Sequence, residues 1–494
     1  MTQPIYVAAA QGRRLRVMRA PLAGPNSITV SGLDTILTRA RAAARNDPWA
    51  GTALDKLTSN GIGTGIQAKA LWGAKEWRAT EKKLWARFVK HCDADGVLDL
   101  YGLQALAWRE WHEAGEVFVR LRKRRLDDGL PVPLQLQLIE AEQCPANYYA
   151  TAKNGNPIRA GIEFNRIGQR MAYWMYRTHP GDAMSGTSDY SGLLVRVPAD
   201  QVIHLYEPLR AGQIRGIPQA TSVLVRMFNL DSLDDAVLER QKIANLFTGF
   251  YTRTPNAEED APGMKEDMTG ADGQEPAVDA DGTPLAGMEP ATMQELPEGW
   301  DVKFNDPPDA GPNYSEFLRG HLMAIAARHG VPYEVLTGDL RDVSDRALRL
   351  ILNEFRRIVE MRQWLYMIPQ LLQPVREAYF DAAVLAGALA VPGYADQKDE
   401  VAETLWVPQG WPYSHPVQDI DADKNAVRAG FISRSKVVLS NGEDPEQIDA
   451  ELAEDNKRAD GLGLVLDSDP RKTSNAGLTQ ARAPGTELPD TGKK

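Results

Sequence analysis

The glycines that could form a nucleotide site lie in patterns that do not support one. A P-loop needs four residues between its first glycine and a Gly-Lys pair, so that backbone amides can wrap the phosphates. The single Gly-Lys pair is Gly492-Lys493, and no strand-like run precedes it. Three alternate glycines at Gly61, Gly63 and Gly65 lack the dinucleotide spacing. This second pattern predicts a flexible turn after a helix.

The possible metal ligands also lack a binding pattern. The run from Asp93 to Gly96 resembles the start of a calcium loop, but its glycine falls at the fourth position rather than the sixth. Val97 and Gln104 stand where other oxygen ligands are expected, so a solvated turn is favoured. The seven histidines form neither an HExxH motif nor a close set with cysteine. We therefore predict no metal, no cofactor, no catalytic residue and no enzyme activity, with structural roles for His204 and His321.

One dense basic cluster has two interpretations. Its members are Arg120, Arg122, Lys123, Arg124 and Arg125. It could contact a phosphate or a partner. A solvated strand end, balanced by Asp127 and Asp128, is favoured because five charges are few for a nucleic-acid surface.

Composition limits the class of protein. The 494 residues carry a formal net charge of -11, which argues against a general DNA-binding surface. Apolar residues make up 43% and charged residues 25%, as in folded soluble proteins. Cys92 and Cys144 follow no signal-like segment, which favours free thiols in a reducing compartment. The longest apolar run, residues 382–391, is far shorter than the roughly 20 residues of a membrane helix. We expect no membrane segment and no export.

The first two-fifths of the chain predicts an α+β domain. Residues 1–30 show little periodicity and predict a flexible arm, and helical patterns follow at 31–46, 76–92 and 100–114. Short strand-like runs separated by Gly, Pro and Asn then predict an antiparallel sheet. These runs span residues 116–121, 134–139, 161–164, 170–176, 193–197 and 201–206.

Long helices surround an acidic insert in the remainder. Residues 218–247 predict a helix roughly 40–45 Å long. Residues 255–290 hold ten acidic residues, one lysine and five prolines, which predicts disorder. Later elements are predicted as a strand at 300–304, helices at 315–329 and 416–429, another helix from Pro445, and a flexible tail at 467–494. The long helix that begins near residue 346 should kink at Pro369 and Pro374.

Seven phrases, in this order, are similar to the lambda-type family of tailed-phage portal proteins. They are DPWAGTALDKLTSNGIGTGI (47–66), CDADGVLDLYGLQALAWREWHEAGEVFVRLR (92–122), PLQLQLIEAEQC (133–144), GIEFNRIGQRMAYW (161–174), VPADQVIHLYEPLRAGQIRGIPQA (197–220), ERQKIANLFTGF (239–250) and GVPYEVLTGDL (330–340). The similarity spans roughly residues 47 to 440. The order and spacing of the phrases are more specific than any one of them.

The resemblance implies an α+β portal fold assembled as a twelve-fold ring. The implied parts are an arm (1–30), an α/β wing (31–215), a first stem helix (216–247), a clip (248–312) with the acidic insert, a second stem helix (313–331), a tunnel loop (332–346), a long kinked helix (347–392), a C-terminal wing or crown region (393–466) and a tail (467–494).

The resemblance also implies a function without chemistry. The ring would form the channel at one capsid vertex for DNA packaging and ejection, and acidic walls would let double-stranded DNA slide without sequence readout. Implied partners are the major capsid protein, the scaffold, the terminase large subunit and the head–tail connector. The implied location is the virion, after assembly from subunits in the host cytoplasm. The alternatives are another ring-forming connector or, with less support, a phage nuclease or NTPase.

The tunnel loop is the candidate site. Its residues are Gly338, Asp339, Leu340, Arg341, Asp342, Val343, Ser344, Asp345 and Arg346. Three aspartates against two arginines make the loop polar and suited to transient phosphate contact. The family often carries an Asn-Tyr-Ser-Ser-like phrase here, and this chain does not. The alternative is a surface turn without a role in the channel.

Overall fold

The computed structural model describes residues 22–182, 193–246, 249–253, 277–278, 284–285, 300–304, 314–341, 343–413 and 415–464. The chain divides into two compact units. Within the described residues, the first unit contains 22–41, 52–219 and 340–464, and the second contains 42–51 and 220–339, each with the gaps given above. No described helix combines the length and apolar character needed to cross a membrane.

Five helices lie in the N-terminal part. They are α1 (Pro25–Val30), α2 (Leu33–Asn46), α3 (Pro48–Gly61), α4 (Lys75–His91) and α5 (Leu100–Ala114). Asp99 caps α5 by accepting a hydrogen bond from the Gly102 amide at 2.8 Å, and Gly115, with φ of 85°, ends it. The helices predicted at 31–46, 76–92 and 100–114 are confirmed.

The expectation of a loose arm over residues 1–30 is wrong at its C-terminal end, where α1 forms. Pro25 supplies the fixed φ that suits the first helical turn. The Asn26 side chain donates to Gly212 O at 2.9 Å and accepts from the Ile214 amide at 3.0 Å, so tertiary bonds hold this short helix. Residues 1–21 lie outside the described part.

Two antiparallel sheets replace the single sheet that the sequence predicts. Their strands are β2 (Glu116–Lys123), β3 (Leu134–Ile139), β4 (Ala150–Thr151), β5 (Pro157–Arg159), β6 (Ile162–Phe164), β7 (Arg170–Tyr176), β8 (Leu194–Pro198) and β9 (Val202–Tyr206). One sheet has the order β3-β2-β9 and the other runs β4-β5-β6-β7-β8. All six predicted strands are present, whereas β4, β5 and the β1 strand (Gln67–Ala70) were not predicted.

Burial of both faces of β2 explains the second sheet. Val117, Val119 and Leu121 point into a large core that also contains residues of α4, α5 and the C-terminal helices. Phe118 points the other way and packs with Tyr173 of β7 in a second core. Because successive side chains of a strand alternate between faces, an apolar residue on each face requires cover on both sides.

The second unit contains a pair of longer helices. They are α6 (Leu224–Leu246) and α7 (Tyr314–His329), and the short α8 (Tyr333–Thr337) follows. The predicted helix at 315–329 is confirmed, and the Tyr314 hydroxyl donates to the Asp234 carboxylate across the pair. The helix predicted at 218–247 begins only at Leu224, because residues 219–222 form a tighter 3₁₀ turn. Its 23 residues span about 34 Å rather than 40–45 Å.

The acidic insert lies mostly outside the described residues. The flanking strands, β10 (Gly249–Arg253) and β13 (Trp300–Phe304), pair antiparallel, which confirms the strand predicted at 300–304. Within 255–290, only β11 (Ala277–Val278) and β12 (Pro284–Leu285) are described. They pair with each other, so the expectation of disorder is wrong for these four residues.

The C-terminal part is largely helical and completes the first unit. It contains α9 (Asp345–Arg362), a π-helical segment (Gln363–Leu372), α10 (Gln373–Leu385), α11 (Lys398–Ala402), β14 (Thr404–Val407), α12 (Pro416–Arg428), α13 (Arg434–Ser440) and α14 (Pro445–Leu462). The strand β14 pairs with β1. The helices predicted at 416–429 and from Pro445 are confirmed, and the predicted tail at 467–494 lies outside the described residues.

The long helix predicted over 347–392 is wrong at its C-terminal end, and the kinks predicted at Pro369 and Pro374 stay predictions. Pro369 lies inside the π-helical segment, whose wider turns accommodate a residue without an amide donor, and Pro374 lies in the first turn of α10. The helix ends at Leu385 rather than at residue 392. Gly387, with φ of 70°, ends it in the left-handed conformation that glycine adopts at low cost.

The turn after α5 packs closely against Ile217, and this close approach can be tested by substitution. A Cβ atom on Gly115 would lie 2.1 Å from the Ile217 carbonyl carbon, whereas one on Gly129, also at positive φ, would meet no atom within 4 Å. We expect Gly115→Ala to lower the free energy of unfolding by more than about 3 kcal/mol, and Gly129→Ala by about 1 kcal/mol from backbone strain alone. Urea unfolding followed by circular dichroism measures both, and equal losses would contradict the close approach at Gly115.

Candidate functional site

The first part of the predicted tunnel loop belongs to the second unit and is held by local hydrogen bonds. Gly338, with φ of 72°, closes α8 by donating its amide to Glu334 O at 2.9 Å. The Tyr333 hydroxyl donates to Asp339 Oδ2 at 3.1 Å, and the Asp339 amide donates to Thr337 Oγ1 at 3.2 Å. The Asp339 carboxylate is therefore bonded locally rather than presented free.

The rest of the loop belongs to the first unit and ends earlier than predicted. The Leu340 and Arg341 side chains are exposed, and Asp342 lies outside the described residues. The Val343 amide donates to Leu340 O at 3.3 Å, which makes a single turn. Ser344 caps α9 by accepting a hydrogen bond from the Ala347 amide at 3.2 Å.

Asp345 and Arg346 therefore lie in the first turn of α9 and not in a loop, which corrects the C-terminal boundary of the site. The Asp345 carboxylate contacts Arg349 one turn along the helix, and its Oδ2 atom lies 3.2 Å from His415 Nε2. An acidic residue is also favourable at a helix N-terminus. Among the described loop residues, no nucleophile, base and orienting group come together as a catalytic site requires.

A buried ionic centre, formed by Glu116, His204 and Arg215, lies between the two sheets. Glu116 Oε1 accepts from Arg215 Nε at 2.8 Å, and Glu116 Oε2 lies 2.9 Å from His204 Nε2. The same Oε2 accepts from the Gly216 amide at 2.7 Å. Arg215 Nη1 donates to Ala160 O at 2.8 Å, so the centre also reaches the turn between β5 and β6.

The protonation states of this centre follow from its contacts. Burial alone would raise the pKa of Glu116, but the Arg215 guanidinium and the His204 hydrogen bond outweigh burial and hold the pKa at about 2. Burial lowers the pKa of His204 to about 4, against the opposing pull of Glu116. Neutral His204 can then donate from Nε2 to Glu116, while its Nδ1 accepts from Arg170 at 3.2 Å. The structural role predicted for His204 is confirmed by these contacts.

A second buried arginine was missed by the sequence analysis. Arg376 of α10 is fully buried, and its Nη1 lies 2.7 Å from Glu81 Oε1 of α4. Its guanidinium carbon lies 4.2 Å from the Trp85 ring centre and 4.5 Å from that of Phe380. The partners are almost 300 residues apart in sequence, so no local pattern could have indicated the pair.

One group of side chains has the geometry for a metal ion. Ligand atoms of Glu140, Glu142 and His179 lie within 4.8 Å of one another. Both Glu142 oxygens accept hydrogen bonds from Arg41, at 3.0 Å each. The guanidinium therefore already supplies positive charge to this group.

The two glycine- and aspartate-rich patterns are structural turns. The turn after α3 is fixed by the Gln104 side chain, which accepts from the Ile66 amide at 2.8 Å and donates to Ile66 O at 3.1 Å. The Asp93 carboxylate accepts from the amides of Asp95, Val97 and Leu98, at 3.0, 2.8 and 2.8 Å. The turns predicted after α3 and at Asp93 are both present. The Gln104 hydrogen bonds fix the turn after α3, which was expected to be flexible. Both cysteines are free and buried.

The basic cluster of β2 divides between two environments. Lys123, Arg124 and Arg125 are exposed, as the solvated-strand-end interpretation predicts. Arg120 and Arg122 are half-buried and line a cavity between the two sheets, which that interpretation does not predict. The alternation of a strand sends these two side chains to the inter-sheet face.

Comparison with known proteins identifies the family. Residues 11–363 match the family described as phage portal protein, lambda family. The chain belongs to this family, whose members are structural proteins.

Relatives with the same description are found among phages. A probable portal protein of Halomonas phage phiHAP-1 is 27% identical over 446 residues, which cover 87% of this chain and 82% of that protein. Portal protein B of Escherichia phage lambda is 23% identical over 344 residues, which cover 65% of this chain and 62% of the relative. Among solved structures, a chain in the neck of a native GTA particle computed with C12 symmetry gives a TM-score of 0.43 with 15% identity. That match covers 88% of this chain and 99% of the GTA chain.

The buried ionic centre predicts a pH dependence of stability. Because folding lowers the pKa of His204, the unfolded state binds more protons between about pH 6.5 and 4, and the free energy of unfolding falls as pH drops through this range. We expect His204→Gln to remove up to about 1.4 kcal/mol per pH unit from this slope. The exposed His91→Gln is the matched control and should keep the native slope. Urea unfolding at several pH values measures it, and an unchanged slope in His204→Gln contradicts the assignment.

Proposed function

We propose that this chain is the subunit of a homo-oligomeric ring, dodecameric as in the implied family architecture, that forms a DNA channel at one capsid vertex. The ring would serve DNA packaging and ejection. The family match over residues 11–363 is the observation that carries this proposal. The proposed location is the virion, with unassembled subunits in the host cytoplasm.

In this proposal α6 and α7 are the stem helices. The two helices contact each other within the second unit, and the Tyr314–Asp234 hydrogen bond joins the first residue of α7 to the middle of α6. Large apolar side chains remain on their outer surfaces, with Phe228 70% exposed, Val225 65% and Phe317 47%. Several exposed apolar side chains on adjacent helices favour burial against another subunit.

The remaining parts follow the family plan. The sheets of the first unit would form the wing, residues 248–312 the clip, and α12 to α14 the crown. The clip would bind the terminase large subunit, which supplies the ATP hydrolysis, and later the head–tail connector. Major capsid protein and scaffold would contact the wing. Duplex DNA would pass through without sequence readout.

Ring formation gives the direct test. Purified protein should form a large ring visible by electron microscopy and mass photometry, with no ATP turnover of its own. Phe228→Glu should leave a folded subunit that no longer assembles, because a charge on this surface cannot be buried without a partner. Ile167→Glu, at a site that is 78% exposed in a sheet turn, is the matched control and should assemble normally.

Two results would overturn the proposal. One is native protein that stays monomeric or dimeric under all assembly conditions, and the other is hydrolysis of ATP by the pure ring.

The loop gives a test of the channel. We expect deletion of residues 341–343 to leave rings that assemble but package or retain DNA poorly, because the loop would contact DNA in the channel. Reversing charge with Arg346→Glu should act in the same direction, since like charges repel phosphate. The matched control is Arg166→Glu in an exposed sheet turn, which should package normally. DNA content of purified heads is the measurement.

The outcome separates the possible roles of the loop. Full heads from the deletion variant would contradict a channel role. Loss of the ring itself would also contradict it, because the loop would then be an intersubunit contact.

A further inference from the structure

The cavity between the two sheets has an unusual lining. Its volume is about 330 Å³. Arg120, Arg122 and Gln137 line one side, from β2 and β3, and Met175, Arg177 and Val195 line the other. Among the described residues that line it, three are arginines and none is an aspartate or glutamate. Arg120 and Arg122 therefore bring positive charge to this cavity, in a protein whose net charge is -11.

Among the described residues, no acidic side chain forms a salt bridge with either arginine of β2. Arg120 Nε is buried and has no hydrogen-bond partner among the described residues. Arg122 donates from Nε to Gln137 Oε1 at 2.8 Å, a neutral acceptor. Burial lowers the pKa of both side chains, and for Arg122 the nearby positive charges of Arg120 and Arg124 lower it further, against a smaller opposing effect of Asp95. An additional negative charge in the cavity would relieve both effects.

Other arginines in the first unit show what is missing here. Arg41, Arg196, Arg215 and Arg376 are each within hydrogen-bonding distance of a glutamate, namely Glu110, Glu163, Glu116 and Glu81. This holds even for Arg196, whose side chain is 39% exposed. A half-buried charge without a partner is costly, and in these four places the chain supplies a carboxylate. Arg170, also half-buried, is instead bonded to Tyr173, His204 and Tyr206. Arg120 and Arg122 depart from this pattern at the wall of a cavity.

We propose that the inter-sheet cavity binds a small oxyanion of the phosphate class, held by Arg120 and Arg122. Guanidinium groups match the oxygens of phosphate with paired hydrogen bonds. A phosphate dianion can balance two arginines, whereas one carboxylate leaves one of them uncompensated. The volume is at the lower end of small-ligand pockets and is too small for duplex DNA. The proposal rests on the cavity alone and is independent of the role in a DNA channel.

Titration of the full-length protein with inorganic phosphate tests the proposal. Isothermal titration calorimetry is run at constant ionic strength, and a titration with chloride in place of phosphate is the reference. Native protein should bind phosphate. Arg120→Gln and Arg122→Gln should each weaken binding by at least about tenfold, the loss expected for a charge-assisted hydrogen bond. Arg125→Gln removes an exposed charge just beyond β2 that does not line this cavity, so it is the matched control and should bind like the native protein.

A second variant separates binding from folding. Arg120→Lys keeps the charge but loses the paired donors, so it should fold normally and bind with intermediate affinity. Thermal unfolding in chloride checks that each variant is folded. Absence of phosphate binding by native protein, or equal affinity in Arg120→Gln and native protein, overturns the site. Equal binding of acetate and phosphate overturns the phosphate class. Short duplex DNA is the last comparison. If it binds through Arg120 as tightly, per phosphate group, as inorganic phosphate does, the small-ligand assignment is wrong.

Discussion

The ion pair between Glu116 and Arg215 is the constraint on which the sheet packing of the first unit depends. Both side chains are 1% exposed, so neither charge is stable there without the other. Removing one partner of such a pair typically costs about 3–5 kcal/mol, because the other charge stays buried. Arg215 also donates to Ala160 O beside the five-stranded sheet, while Glu116 belongs to the three-stranded sheet. The pair therefore joins the two sheets and fixes the face on which they meet.

One face of β2 carries a carboxylate that forms a salt bridge and two arginines that form none with the described residues. Its inter-sheet side chains are Glu116, Phe118, Arg120 and Arg122, in order along the strand. Glu116 is neutralised by Arg215, and Phe118 stacks on His204 with ring centres 4.3 Å apart. Beyond this aromatic contact the two arginines line the cavity. Side chains two residues apart lie on the same face of a regular strand. The face of β2 that buries Glu116 therefore also directs Arg120 and Arg122 between the sheets.

Local signals in the sequence predicted most elements, and long-range pairing explains the failures. Asp99 begins α5 and Gly115 ends it through interactions within a few residues, so the bounds of this helix could be read directly. The division into two sheets depends on which strands pair, and EVFVRL does not encode its partners. The Arg376–Glu81 pair and the cavity arginines depend on residues far away in sequence. The candidate loop lies between α8 and α9, and its predicted C-terminal boundary was wrong because Asp345 belongs to the capped helix.

Several charged side chains of the first unit are neutralised by the contacts that stabilise the fold. In the ionic centre and around Arg376, buried charges contact oppositely charged or aromatic groups, which stabilises the fold but leaves no free acid or base in those places. Asp339 and Asp345, in the candidate loop, are likewise bonded to neighbours. Catalysis requires groups held ready for a reacting atom, whereas assembly requires exposed surfaces that gain by burial. Phe228 and Val225 supply an exposed apolar surface of this kind on α6.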